Sequence, residues 1–393
     1  MGATVYLYVA IILLATMFAR LAVTTRMSFG RVDFELNKGT DGELNGICVF
    51  LSFMTLFLFT ALSTSGTDYS SYERWFNQSV TYSWQEIFDS EWLYYIFNRV
   101  VHYFTSDFRI YIAVYSAVLL LLIYSGLVYL SDKIDFSWAV FVYAALFYLP
   151  MFNTKRICLA AALLFFAVRF LMEKRYFVYL LFIVLASGIH TASIFWLLFL
   201  LSYIFINERT YRDHKILVIL AYVALAVALI ATRNYWLNIE ISKRYEQYTT
   251  TFTGIGIGII LKYTVLIFLI VRWMNLSNFY YPDNAQETRT SAVWRMALIS
   301  TGVSLVFSFS GYVNQVFSRM QTYTMYSYVV FLPFLIREWK TQDYDGELSS
   351  EVSITKAVIV LYVIFLFFDF ANNQMSTSGL DIYTTIWGWS LGN

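Results

Sequence analysis

Two residues at the ends of apolar stretches frame the chemistry open to this chain. Arg156 opens one stretch, in TKRICLAAALLFFAVRFLM, and His190 interrupts another, in VLASGIHTAS. If each stretch crosses a membrane, the guanidinium and the imidazole return to the same face, two crossings apart. A guanidinium binds phosphate oxygens in pairs and stays charged at any pH. An imidazole exchanges a proton near neutral pH. Ionisable groups are costly to place at a membrane and are read first as functional. Each residue also has a plainer reading. Arg156 could be a cation reaching for lipid headgroups, and His190 a hydrogen-bonded interior residue. Their shared face favours the functional reading of both.

A third candidate is Asp68, in SGTDYSSYERW, an acid at the end of an apolar run beside Gly66. The segment behind it interleaves acids with rings: Tyr72, Glu73, Trp75, Trp84, Glu86, Glu91 and Trp92. Carboxylates accept hydrogen bonds from sugar hydroxyls, and ring faces cover the C–H side of a pyranose. Tyr72 and Glu91 are therefore candidates to bind glycan. The alternative is an interfacial amphipathic helix whose Trp and Tyr side chains are anchors. Arg319 resembles Arg156 in position, a cation at the start of an apolar span, with Tyr323 close behind it. With Lys155 and Arg244 these two arginines would suit a diphosphate, although the charges at 240–246 also read as a solvated helix face. Cations at the headgroup plane, an apolar groove and glycan-binding acids and rings are together what a polyprenyl-diphosphate sugar requires.

Neither a metal nor another cofactor is expected. His102, His190 and His214 are far apart, and Cys48 and Cys158 sit in or beside apolar runs without ligand spacing. GIGIG at 254–258 lacks the preceding strand and the spacing of a dinucleotide fingerprint.

The elements that must position these residues are membrane helices. Of 393 residues, 59% are hydrophobic and 13% charged, against roughly 25% charged in soluble domains. The net charge of +1 gives no reason to expect a nucleic-acid partner. Residues 5–25 lack the basic lead of a signal peptide and read as a retained helix. Apolar runs at about 5–25, 44–64, 109–130, 137–152, 157–172, 176–189, 191–206, 216–232, 256–273, 292–312, 320–337 and 355–371 predict an all-α, polytopic membrane protein. About twelve helices are expected, with a break near Gly188. With the N-terminus outside, the inner face holds 17 Lys and Arg and the outer face 10, the orientation that short inner loops favour. One transmembrane domain spans 1–393, with extracytoplasmic loops at 65–108 and 233–255.

At this point the chain resembles the EpsG-like family of Wzy-type polysaccharide polymerases, with a glycosyltransferase-C-like helical architecture. The resembling pieces are GTDYSSY at 66–72, the acid Glu91 before an aromatic helix, TKRICLAAALLFFAVRFLMEKRYF, ASGIHTAS at 186–193 and SRMQTYTMYSYVVFLP at 318–333. Family members often carry an arginine shortly before the GTD piece, where this chain reads ALSTSGTDY.

The resemblance implies block-wise joining of undecaprenyl-diphosphate-linked repeat units on the outer face of a bacterial cytoplasmic membrane, without a metal. Arg156 and Arg319 would hold the diphosphate, Asp68 or His190 would be the base, and Glu91 and Tyr72 would orient glycan. Partners would be the lipid-linked oligosaccharide and membrane lipids, with a flippase and a chain-length regulator as further candidates. A base near working pH slightly favours His190 over Asp68. The rival readings are a single-sugar transferase using a polyprenyl-phosphate donor and a lipid-linked glycan flippase. A membrane acyltransferase is weaker.

Overall fold

The computed structural model describes residues 2–28, 31–33, 44–206, most of 217–232, 261–270, 272, 287–310, 322–323, 326–342 and 349–392. Arg244, Arg319 and the expected loop 233–255 lie outside the described residues. The described residues form two compact units, one made of 1–191 with 332–393 and the other of 192–331.

The first unit opens with α1 (Ala3–Thr24) and a short hairpin of β1 (Arg26–Ser28) and β2 (Arg31–Asp33). α2 (Gly46–Ala61) starts where the Asn45 side chain accepts from the backbone N–H groups of Ile47 and Cys48, the usual way a first turn is satisfied. Next come the short helices α3 (Tyr69–Gln78), α4 (Trp84–Phe88) and α5 (Trp92–Phe104), all inside the expected outer segment. α6 (Phe108–Leu130) and α7 (Phe136–Leu146) follow, each capped by an aspartate, Asp107 and Asp135. A tight turn at Leu149–Phe152 leads into α8 (Lys155–Phe166), α9 (Val168–Met172) and α10 (Tyr176–Ile189).

Among the described residues, three helices are long and apolar enough to cross a membrane: α1, α6 and the C-terminal stretch Ser353–Asn373. Shorter apolar helices, including α2, α7 and α10, accompany them. Large apolar side chains on α1 face outward, with Leu13 57% and Met17 48% exposed. A water-soluble protein rarely displays so much contiguous apolar surface, whereas lipid accepts it without cost. This is an all-α membrane protein. Among the described residues the strands are the β1–β2 pair and a two-residue pair near the C-terminus, both local hairpins.

The tail beyond the last long helix folds back. The Thr4 hydroxyl donates to the carbonyls of Asp381 (2.7 Å) and Leu391 (2.8 Å). The Gly66 and Thr67 N–H groups donate to the Gly379 and Ser378 carbonyls. The start of α1, the loop 63–68 and the tail thus share one end of the unit.

In the second unit, the chain continues through a tight turn at Thr191–Trp196 into α11 (Leu197–Phe205). The helix Glu287–Ser310 packs against α11 and against the turn Tyr326–Val330. The Tyr263 hydroxyl reaches Ser304 Oγ at 2.7 Å, and Arg295 Nε donates to the Ile206 carbonyl at 3.1 Å.

Candidate functional site

The break expected near Gly188 is present and is what places His190. α10 ends at Ile189, and His190 is extended (φ −147°, ψ 112°) before the next tight turn begins. The ending is tight on the neighbouring helix: a Cβ on Gly188 would lie 2.6 Å from Trp92 Cε2. Only glycine lets α10 sit this close to the first turn of α5, which begins one residue after Glu91.

Glu91 occupies the N-cap position of α5, yet its side chain makes no capping bond. It is turned toward α8 and α10 instead. One carboxylate oxygen, Oε2, pairs with Nη1 of Arg156. The other, Oε1, meets His190 Nδ1 at 2.7 Å and accepts from the Thr191 backbone N–H at 3.1 Å. Glu91 and His190 are both buried. Burial works against the Glu91 charge, but the His190 hydrogen bond, the Arg156 charge and the Thr191 N–H together outweigh it and hold its pKa below the ordinary glutamate range. The site is built around an ionised carboxylate that ties three helix ends together.

Arg156 is stacked as well as paired. Its guanidinium carbon lies 4.5 Å from the centroid of Trp75 on α3 and 5.8 Å from that of Tyr94 on α5, within cation–π range. A quarter of its side chain stays accessible. Lys155, one residue earlier, is placed differently. It is 3% exposed, donates to the Phe152 carbonyl and lies over the rings of Tyr72 (5.2 Å) and Tyr115 (5.9 Å). Adjacent basic residues therefore have separate surroundings, one buried under rings and one partly open.

Asp68 lies on the loop that Asn153 holds. Asn153 Oδ1 accepts from the Asp68 N–H (2.9 Å) and the Thr67 hydroxyl (3.2 Å). Gly66, at φ +110°, has the Phe152 carbonyl oxygen 3.0 Å from where a Cβ would be. The Asp68 charge acts on both Tyr72 and Lys155, which puts it beside the same cluster. Tyr72 is buried, and burial first of all raises its phenol well above its usual value, so it remains a protonated donor.

Asp68, Tyr72, Glu91, Lys155, Arg156 and His190 thus gather at one end of the first unit. Tyr323 belongs to the second unit, where its hydroxyl reaches Ser193 Oγ at 2.7 Å and its ring lies 6.1 Å from Trp196. Arg244 and Arg319 lie outside the described residues. Sequence reasoning did not single out Asn153, Thr191 or Tyr94, because an asparagine, a backbone N–H and one tyrosine among many carry no signal of their own. It gave Glu91 to glycan, whereas the carboxylate is engaged by Arg156 and His190. Among the described residues no group of three or more His, Cys, Asp and Glu side chains could hold a metal ion.

A helical membrane protein with a buried carboxylate, an imidazole and a stacked, part-open guanidinium at one helix-end face is the class that fold and site define. Over residues 46–382 the chain matches the EpsG family, and it belongs to that family. This is a Wzy-like polymerase family, so a polysaccharide-polymerase type of role follows at the level of the family. Comparison with the curated proteins and with the solved structures gave no match.

Proposed function

We propose that the protein joins lipid-linked oligosaccharide repeat units, transferring a growing chain from undecaprenyl diphosphate to the non-reducing end of a new repeat outside the cytoplasmic membrane. The chain would cross that membrane many times, with the Glu91 cluster on the outer face. The observation that carries this reading is the convergence of Arg156 and His190 on the two oxygens of Glu91. It supplies a cation for a leaving diphosphate next to an oriented base.

In the proposed step, the bond between the anomeric carbon of the donor sugar and its phosphate oxygen breaks. A bond forms from that carbon to the acceptor hydroxyl oxygen, and the hydroxyl proton passes to His190 Nε2. Glu91 acts through His190. By accepting from Nδ1–H it selects the tautomer with its lone pair on Nε2 and stabilises the imidazolium that results, as carboxylates do in other acid–base relays. Arg156, a quarter of whose side chain is accessible, would meet the departing diphosphate, and no metal is required for that charge. The protonated Tyr72 and the Asp68 loop border the same end and would help seat the sugars, while Lys155 supports Tyr72 from beneath. Arg319 and Arg244 are kept as candidates for the diphosphate and Tyr323 for the glycan. A flippase delivering the repeat and a chain-length regulator are the implied protein partners.

The test is to incubate the purified protein in nanodiscs with a lipid-linked repeat unit and resolve the products on a gel. A ladder spaced by one repeat, lost in Arg156→Ala and His190→Ala variants that still insert and fold, supports the proposal. Addition of a single sugar would instead identify a one-step glycosyltransferase. Intact substrate with folded protein would refute both enzymatic readings.

A further inference from the structure

The tail after the helix Ser349–Asn373 carries a hairpin that the proposed reaction leaves unused. Tyr383–Thr384 pairs antiparallel with Ser390–Leu391. The turn between them is closed by the Gly388 N–H on the Thr385 carbonyl (2.9 Å) and by the Thr385 N–H on the Trp389 carbonyl (2.8 Å). Gly388, at φ +77°, supplies the left-handed residue that such a turn demands. The hairpin is fixed to the loop that leads to Asp68. The Ile386 N–H donates to the Leu62 carbonyl at 3.0 Å and the Thr64 N–H to the Thr384 carbonyl at 2.9 Å, while Ser63 pairs with Thr385. Tyr383 is buried, and its hydroxyl donates to the Phe59 carbonyl at 2.8 Å. Leu62 is six residues from Asp68, no more than about 22 Å of chain.

On this fixed base the tip displays two indoles, Trp387 74% and Trp389 54% exposed. Large rings held in the open call for a partner. Between Ala371 and Asn393 the one charged side chain is Asp381, so the tail offers no cation to a phosphate headgroup. Surface elements that bind lipid set their Trp side chains against a face rich in Lys and Arg, and this tail has neither. Its exposed polar side chains include Gln374, Ser376, Thr377 and Ser390. Flat rings cover the C–H side of a pyranose, and amides and hydroxyls meet its hydroxyl groups. That combination suits an uncharged glycan.

We propose that Trp387 and Trp389 form a holding surface for the growing polysaccharide, taking uncharged sugars several units away from the diphosphate end. The inference rests on the polymerase reading and adds to it a means of keeping the chain between transfers. The loop that carries Asp68 borders the Glu91 cluster and is hydrogen-bonded to the hairpin, so the surface is continuous with the site that would make the chain.

The experiment uses the full chain in nanodiscs with two readouts. One is the ladder made from a lipid-linked repeat unit. The other is isothermal titration with a soluble glycan of several repeats, freed from its lipid by mild acid. Trp387→Ala with Trp389→Ala should shorten the ladder and weaken glycan binding about tenfold, the scale of loss when a tryptophan that anchors an interface is truncated. Trp387→Phe with Trp389→Phe keeps flat rings and should retain most of the affinity. Trp387→Leu with Trp389→Leu keeps apolar surface without rings and should lose it as the alanine pair does. An alanine pair with the ladder and affinity of the wild type would overturn the proposal. So would a leucine pair equal to the wild type, because that result would make the rings anchors in lipid. If the wild type makes no ladder, the polymerase reading fails, and the titration alone decides this one: ring-dependent binding upholds the surface, and no binding by the wild type removes it.

Discussion

Replacing Glu91 by Gln separates the roles proposed for the cluster more sharply than any other single change. The substitution keeps the volume but removes the charge that pairs with Arg156 and accepts from His190 and Thr191. Removing one partner of a fully buried ion pair costs about 3–5 kcal/mol. Because a quarter of the Arg156 side chain reaches solvent, a smaller loss of about 2–3 kcal/mol is expected here. Thermal unfolding in detergent would measure it. Loss of an oriented general base should slow polymerisation by about 10²- to 10⁴-fold. The decisive comparison is a cycle of Glu91→Gln, His190→Ala and the double variant, assayed with a lipid-linked repeat unit. If Glu91 works through His190, the double variant is no slower than His190→Ala, since residues acting as one unit do not add. Losses that multiply would refute the relay, as would a folded Glu91→Gln protein with the wild-type rate.

Other outcomes follow from the same contacts. Gly188→Ala places a methyl group against the Trp92 indole, so it should destabilise by about 1–3 kcal/mol and lower activity by displacing the first turn of α5; unaltered melting and turnover would show that Trp92 yields freely. Trp75→Ala removes the ring under Arg156 and should cost about 0.5–2 kcal/mol, seen as weaker binding of a diphosphate-bearing donor with His190 chemistry intact. Asn153→Ala frees the Asp68 N–H and the Thr67 hydroxyl; a higher KM with modest change in kcat is expected, and steady-state kinetics will tell. Glu91 also predicts an acid limb. Its folded pKa is depressed below 4.5, so its stabilisation is complete above that value and disappears as pH falls through the folded pKa. Unfolding followed between pH 6 and 3 should show this limb in the wild type and a flatter profile in Glu91→Gln.

Much of the architecture was legible in the chain alone, because a bilayer imposes one simple demand. Every backbone group in hydrocarbon must be satisfied internally, so long apolar runs become helices. That accounts for α1, α6 and the last long helix, and for the break after Gly188, where a small residue and a polar imidazole interrupt an apolar run. The common position of Arg156 and His190 at one face was legible for the same reason: two successive apolar runs return the chain to its starting side.

What composition and spacing did not contain is who pairs with whom at that face. Glu91 stood among many acids and rings of the segment 65–108, and nothing local marked its carboxylate as the hinge between Arg156 and His190. That pairing depends on α10 approaching α5 closely enough for Gly188 to rest against Trp92, a contact between residues 96 positions apart in the chain. Lys155 and Arg156 look interchangeable as neighbours in sequence, yet the 100° between successive helix positions sends one under Tyr72 and Tyr115 and the other to Trp75 and Glu91. Hydropathy determined that these residues lie at the ends of apolar helices. Only the packing of three helix ends decided which charges meet there, because desolvation makes an unpaired buried charge untenable and leaves the tertiary contact to choose its partner.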